Sequence, residues 1–478
     1  MYIAPPRPDR AMTRDDLSAA SRFTESARRD GRFMSSEECL RWLSWHREES
    51  AFSVEQVPFS KLDSWYFTHD NGNLVHRTGR FFTIEGLQVR LAPGLITDWR
   101  QPIIVQREIG ILGILTKEFD GVLHCLMQAK MEPGNSNLVQ LSPTVQATRS
   151  NYMRVHQGAS IPYLEYFAEP RDSEVLYDSL QSEQGCWFLH KRNRNIVVQT
   201  TSEVELRPEF CWLTIKQIHE LLAVDDIVNM DARTVLSTIP FAPPEGAQDM
   251  EGFSGALARS LDPEAPTVHS LAGAVSWLTE SKARYELIQR RIPLLDVAGW
   301  HRTDERIEHE HGEYFSIVGV DVRAKNREVS AWTQPLLQPV APGLLVLLTK
   351  WIDGVLHLLM QSRPAAGALD IVEVAPTVHC TPHTHRGLSA DLAPPYLQYA
   401  LDVDPSRIRY DNMQSEEGGR FLNADNRYLI IEVEDEFPEV DSSRFIWLSV
   451  HQAETLLQFG NCLNVEARSL LACLHTLW

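Results

Sequence analysis

A chain that spells one folding unit twice has few architectures open to it. Residues 116–130 read TKEFDGVLHCLMQAK, and 233 positions later residues 349–363 read TKWIDGVLHLLMQSR. The same offset relates SPTVQ at 142–146 to APTVH at 375–379, PYLEYF at 162–167 to PYLQYA at 395–400, and DSLQSEQG at 178–185 to DNMQSEEG at 411–418. Four blocks at one spacing define two copies of a unit of about 200 residues. Positions held in both copies point to fold or to shared binding. Positions that differ point to chemistry carried by one copy alone.

Each copy is long enough to bury a full core. No run of 18 apolar residues occurs, so no membrane-spanning helix is expected. The opening MYIAPPRPDRAMTRDD lacks the apolar segment of a secretory signal, and residues 1–34 read as a partly disordered lead. Seven cysteines with no CxxC spacing favour reduced thiols in a cytoplasm over a zinc site or a disulfide framework. A net charge of −19 disfavours a nucleic-acid partner. A small anion would require a local basic pocket in this acidic chain.

The expected domains are residues 35–240 and 267–478, joined by a Pro- and Gly-rich linker at 241–266. Each copy opens on a helical stretch carrying Trp42-Leu43 or Trp277-Leu278, here at an offset of 235. Beyond Trp65 and Trp300 the offset falls to 233, which places a two-residue insertion in the turn from His69 to Asn73, where Asn71-Gly72 signals a hairpin. Short apolar runs at 81–90, 109–115 and 121–128, with counterparts at 314–323 and 344–349, read as strands. Ile215, Ile218, Leu221 and Leu222 share one face of a closing helix, and Asn229 and Asn464 read as caps of a further one. The expected fold class is α+β.

Several constellations are candidates for chemistry. Trp99, Arg100 and Gln101 have the types to stack on a base, hold a phosphate and bond a base edge; the competing reading is a core tryptophan at a strand start. Gln181 and Glu183 precede Gly185 in a block kept in both copies, as a ligand-facing loop or a structural turn. Residues 146–158 hold Arg149, Asn151, Tyr152, Arg154 and His156, where the second copy has His379, Cys380, Pro382, His383 and His385. Arginine, tyrosine and histidine together suit a pyrophosphate and a proton transfer; a solvated loop is the alternative. The three histidines lack an acidic partner nearby in sequence, and Pro382 breaks a helix there, so no metal site is expected. Walker, GxGxxG, GxSxG and HExxH motifs are all missing.

The stretches HREESAFSVEQVPFSKLDSWYF, GILTKEFDGVLHCLMQAKMEPGN, VQLSPTVQATRSNY, PYLEYF, YDNMQSEEGGRF and NVEARSLLACL resemble the sugar-nucleotide 2,3-dehydratases of deoxysugar pathways in antibiotic-producing bacteria. The resemblance spans nearly all of residues 35–474. It implies a tandem duplication of two Nudix-like modules, a homodimer, and a dTDP-4-keto-6-deoxyhexose substrate. The Nudix hydrolase motif with its metal-binding carboxylates is missing, so the implied likeness is one of fold. The second copy departs from the family's pattern between His379 and His385, which places the expected site in the N-terminal copy.

The implied reaction removes water across C-2 and C-3 of the hexose, giving a dTDP-3,4-diketo-2,6-dideoxyhexose. The C-4 ketone acidifies the C-3 proton, so no redox cofactor is needed. A 3-ketoreductase is implied downstream to consume the unstable product. Tyr152 and His156 are the favoured acid/base pair, with Lys130 or Glu165 in reserve. Arg100, Arg149 and Arg154 would hold the pyrophosphate, Trp99 would stack on thymine, and Gln181 and Glu183 would meet ribose or sugar hydroxyls. The alternatives are a non-catalytic dTDP-sugar-binding protein and a metal-dependent hydrolase.

Overall fold

The computed structural model describes residues 14–49, 52–94, 97–148, 161–168, 173–324, 330–385 and 392–478. Four sheets carry the fold, in two equivalent pairs. Each copy owns a seven-stranded mixed sheet. In the first, the strand Gly110–Phe119 runs parallel to Arg192–Thr200 and antiparallel to Val122–Met131. In the second, Gly343–Ile352 runs parallel to Asp425–Glu432 and antiparallel to Val355–Pro364. These strands are apolar almost throughout because both faces are covered. The helices Ile215–Leu222 and Val450–Leu457 each start at a reciprocal capping box, Thr214 with Gln217 and Ser449 with Gln452. Asn229 and Asn464 cap the helices Met230–Leu236 and Val465–Leu474, as the sequence predicts.

The other two sheets have five strands, and each is completed by the opposite copy. Ser53–Val57 pairs with Phe315–Arg323, in register from Ser53 opposite Arg323 to Val57 opposite Gly319. Reciprocally, Glu286–Ile292 pairs with Thr83–Ala92, from Glu286 opposite Ala92 to Ile292 opposite Gly86. The first strand of each repeat therefore leaves its own copy. The two-residue insertion lies where the sequence places it, since Trp65 pairs with His76 and Trp300 with His309 across loops of different length.

The structure places a helix in the stretch read as lead and another in the stretch read as linker. Arg14–Ser26 and Gly252–Ser260 are both helices. Ser26 Oγ donates to Leu123 O at 2.6 Å and accepts from Ile215 N at 3.0 Å. Ser260 Oγ donates to Leu356 O at 2.6 Å and accepts from Val450 N at 2.8 Å. The repeat thus begins one helix earlier than the aligned blocks. This helix is held by a few buried contacts such as Phe23 and Leu257, which leave little shared sequence to detect.

The copies meet around two fully buried arginines. Arg233 donates to Val228 O at 2.7 Å in its own copy, and to Gln414 Oε1 at 3.2 Å and Ser415 O at 2.6 Å in the other. Arg468 donates to Leu463 O at 2.7 Å in its own copy, and to Ser182 O at 2.5 Å and Thr234 Oγ1 at 2.7 Å in the other. The turns after these anchors cross over. Gly134 N donates to Gly418 O at 2.7 Å, and Gly367 N donates to Gly185 O at 2.6 Å. A Cβ on Gly134 would lie 1.6 Å from Phe421 O, and one on Gly367 would lie 2.0 Å from Phe188 O, so neither position admits a side chain.

Two outcomes follow from this exchange. Residues 1–246 and 247–478 expressed separately should be insoluble or unfolded, and should regain a cooperative transition on co-expression, read by circular dichroism and size-exclusion chromatography. Arg233→Ala strips bonds from three buried acceptors and should cost roughly 3–5 kcal/mol in urea unfolding.

Candidate active site

The polar centre of the N-terminal copy is built at the end of its large sheet. Lys130 lies near the end of Val122–Met131, and Glu132 follows it. Gln146 lies on Val145–Ala147, and Asp231 is in the first turn of Met230–Leu236. Gln146 Nε2 donates to Glu132 Oε1 at 2.7 Å, while Gln146 Oε1 accepts from Ser142 Oγ at 2.8 Å and Asn229 Nδ2 at 3.2 Å. Lys130 Nζ donates to Gln146 O at 3.2 Å and stands 3.9 Å from Glu132 Oε1.

The C-terminal copy supplies the opposite wall through its QSEEG turn. Glu417 is half-buried there. Its Oε1 would be 3.3 Å, and Glu132 Oε1 3.6 Å, from a Cβ built on Gly419. Arg420 donates from Nε to Gln106 Oε1 at 3.0 Å. Glu183 closes the back of the cluster, accepting from Asn193 Nδ2 at 2.7 Å. Lys191 is buried beside it and donates to Glu108 O at 2.6 Å.

Four carboxyl groups in so little solvent cannot all ionise. Burial, reinforced by Glu417, Glu132 and Glu183, holds Asp231 well above the usual carboxylate range, with Lys130 opposing. Burial and Glu417 raise Glu183, and burial raises Glu417 against the pull of Arg420. Glu132 Oε2, Glu183 Oε2, Asp231 Oδ1, Glu417 Oε2 and both polar side-chain atoms of Asn135 are buried without a hydrogen-bond partner. Buried polar atoms left unmatched by protein are places for water, an ion or a ligand.

The matching place in the C-terminal copy is differently furnished. Arg363 stands where the first copy has Lys130, His379 for Gln146, Glu466 for Asp231 and Cys186 for Gly419. His379 Nε2 is 3.7 Å from Glu466 Oε1, and Arg363 Nη2 is 4.0 Å from Cys186 Sγ. Burial drives His379 well below its ordinary value and Glu466 up to about 8. His383 is exposed on a short turn, and no group of three metal-ligating side chains is found among the described residues.

The residues expected from sequence are dispersed. Arg149, Asn151, Tyr152, Arg154 and His156 lie outside the described residues. Lys130 and Glu183 are in the cluster. Glu165 is exposed at the start of the short helix Glu165–Ala168. Gln181 is fully buried and donates to Tyr177 Oη at 2.8 Å and Leu457 O at 2.9 Å, which ties the two copies together. Trp99 Nε1 donates to Gln101 Oε1 at 2.9 Å, and Gln101 Nε2 donates to Cys186 O at 2.8 Å. Trp332, Gln334 and Gly419 O repeat that relay at 2.9 and 3.0 Å. The relay braces a turn in both copies, which favours the structural reading. Arg100 is exposed and donates to Asp296 O at 3.2 Å. Beside the apolar cluster that Trp99 packs on is a groove of about 550 Å³, lined among others by Arg107, His190, Arg290 and Arg291. Arg291 there is committed to Glu85, with two bonds of 2.7 Å.

Sequence reasoning missed Asp231, Glu132 and Glu417. The acids at 231 and 466 were visible beside their capping asparagines, and the QSEQG/QSEEG difference was visible too. That the second turn serves the first copy's cleft depends on the crossover, which no local pattern reveals.

Two modules, each built on a mixed seven-stranded sheet, exchange the first strands of their five-stranded sheets and enclose an acid–lysine cleft equipped for proton transfer. A family model described as NDP-hexose 2,3-dehydratase matches it twice, at residues 36–239 and 271–474, and the chain belongs to that family. It is 50% identical over 441 residues to a dTDP-4-dehydro-6-deoxy-alpha-D-glucopyranose 2,3-dehydratase of Saccharopolyspora spinosa, covering 91% of this chain and 90% of that one. Proteins of the same description from Amycolatopsis orientalis and Streptomyces violaceoruber are each 46% identical, over 97% and 91% of this chain and 95% and 96% of theirs. The family resemblance drawn from the sequence is therefore borne out.

The acid cluster has a consequence for stability. In that cluster Glu183 is raised from about 4.5 to about 7, and in the C-terminal copy Glu466 is raised to about 8 and Glu373, on the strand Val372–Pro376, to about 6, so all three bind protons more tightly folded than unfolded. Their stabilising contribution is full below the unfolded value and is lost as pH rises through the folded ones. The urea midpoint should fall between pH 5 and pH 8, and Glu183→Gln should flatten that fall.

Proposed function

We propose that this protein is a sugar-nucleotide 2,3-dehydratase that eliminates water from dTDP-4-keto-6-deoxy-D-glucose to give a dTDP-3,4-diketo-2,6-dideoxyhexose. The observation that carries the reading is the likeness to three such dehydratases at 46–50% identity over more than nine-tenths of the chain. The N-terminal cleft fits it chemically. An elimination next to a ketone needs a base for the C-3 proton, an acid for the C-2 oxygen, and a cation near the enolate oxygen. The cleft offers carboxyls whose hold on a proton is strengthened by burial, Glu183, Asp231 and Glu417, together with the side chain of Lys130.

In this reading the C-3 proton passes to a base and its electron pair moves onto the C-4 oxygen. The enolate then collapses, the C-2–O bond breaks with proton delivery, and water leaves. The C-2=C-3 enol takes a solvent proton at C-2 and becomes the diketone. Lys130 is assigned to the enolate side of the cleft. The modules are read as Nudix-like and the protein as a cytoplasmic homodimer, on the family resemblance; no described helix is long and apolar enough to cross a membrane. A 3-ketoreductase would follow it in deoxysugar assembly for antibiotic biosynthesis, because the diketone is unstable.

Incubation with dTDP-4-keto-6-deoxy-D-glucose in deuterium oxide should give loss of water with deuterium at C-2 by mass spectrometry. Unchanged substrate with no exchange at C-3 would overturn the reading. Lys130→Gln should lower kcat by about two to three orders of magnitude with the fold intact.

A further inference from the structure

The two copies supply an internal control at the point where their QSE turns cross. In one direction Gln184 Nε2 donates to Glu416 Oε2 at 2.7 Å. Glu416 Oε1 accepts as well from Asn426 Nδ2 at 2.7 Å and Tyr428 Oη at 2.9 Å, so that carboxylate is fully matched. The sequence offset makes Glu183 and Glu417 the counterpart of Glu416 and Gln184. Here the donor amide is replaced by a second carboxyl, and Asn195 stands where Tyr428 would be. Glu183 keeps only the bond from Asn193 among the described residues, and Oε2 of each carboxyl is buried without a partner.

A carboxyl that takes the place of a donor amide beside another carboxyl must carry a proton to play the same part. The half-buried member is Glu417, on the wall facing Glu132 and Lys130. Glu183 and Asp231 are enclosed behind it, only 2% and 3% exposed. Glu417, the least enclosed of the three residues although its Oε2 is buried, therefore stands beside two enclosed carboxyls able to return a proton to it.

We propose that Glu417, carried into the N-terminal cleft by the C-terminal copy, is a catalytic acid of the dehydration and gives its proton to the C-2 oxygen as water leaves. This rests on the dehydratase reading above. The C-2–O bond breaks, the enolate's electrons form the C-2=C-3 bond, and the Glu417 proton departs in the water. Glu417 is left a carboxylate, and the proton taken from C-3 by the base restores it through the cleft, so no proton is gained or lost. The chemistry assigned to the first copy thus needs a residue of the second.

The test is Glu417→Gln, which installs the residue that the other crossing already holds in Gln184. Water loss should fall about 10²- to 10⁴-fold, with KM little changed, while exchange of the C-3 proton with deuterium oxide persists because the base remains. In the wild type kcat should decline as pH rises through the pKa of the acid, and that alkaline limb should be missing in Glu417→Gln. Glu417→Asp, which keeps a proton on a shorter arm, should retain part of the activity and the limb. Wild-type turnover in Glu417→Gln, or equal loss in both variants together with loss of C-3 exchange, would overturn the assignment. If the wild type itself neither exchanges C-3 nor loses water, the dehydratase reading fails instead.

Discussion

The guanidinium groups of Arg233 and Arg468 are the pins on which this structure turns. Each is enclosed, and each donates to the carbonyl just before the helix-capping asparagine of its own copy and to the end of the turn-forming strand of the other. A buried guanidinium is tolerable only when its donors are matched, and here much of the matching is supplied across the copies. The crossing turns, the glycine contacts at 134 and 367 and the acid cluster all lie within reach of these two pins. The copies are consequently not beads on a string. Neither polar centre is complete without the other half.

Much of the fold was legible because duplication doubles every signal. The two-residue insertion after Trp65, the capping asparagines and the large-sheet strands stand where periodicity and offset put them. The first helices were not legible. Arg14–Ser26 and Gly252–Ser260 share the role of one serine and little else, and Pro and Gly around the second one read as linker. Strand exchange was invisible for a different reason. Ser53–Val57 and Glu286–Ile292 have the same pattern whichever sheet receives them, since alternation fixes a face and not a partner.

Little of the candidate cluster was legible in the sequence. Divergence around 146–158 pointed to the N-terminal copy, most of that stretch lies outside the described residues, and Lys130 and Glu183 each act on Asp231 in the acid cluster. Trp99, Gln101 and Gln181 look like ligand residues in sequence because they are polar or aromatic and repeated. The repetition of Trp99 and Gln101 instead reflects a hydrogen-bond relay that both copies make, and that of Gln181 a bond to the other copy's closing helix, which Gln414 repeats. Repetition marks fold, and the informative positions are those where the relay is kept but one partner changes, as at Gln184 and Glu417.

The exchanged strands also set a timetable for synthesis. Val57 leaves the ribosome long before its partner Gly319 exists. At about 5–20 residues per second, the strand Ser53–Val57 waits roughly 15–50 s with its backbone unpaired. Its solvent-facing Glu55 and Gln56 keep that edge polar during the wait, a guard against neighbouring nascent chains on the same message.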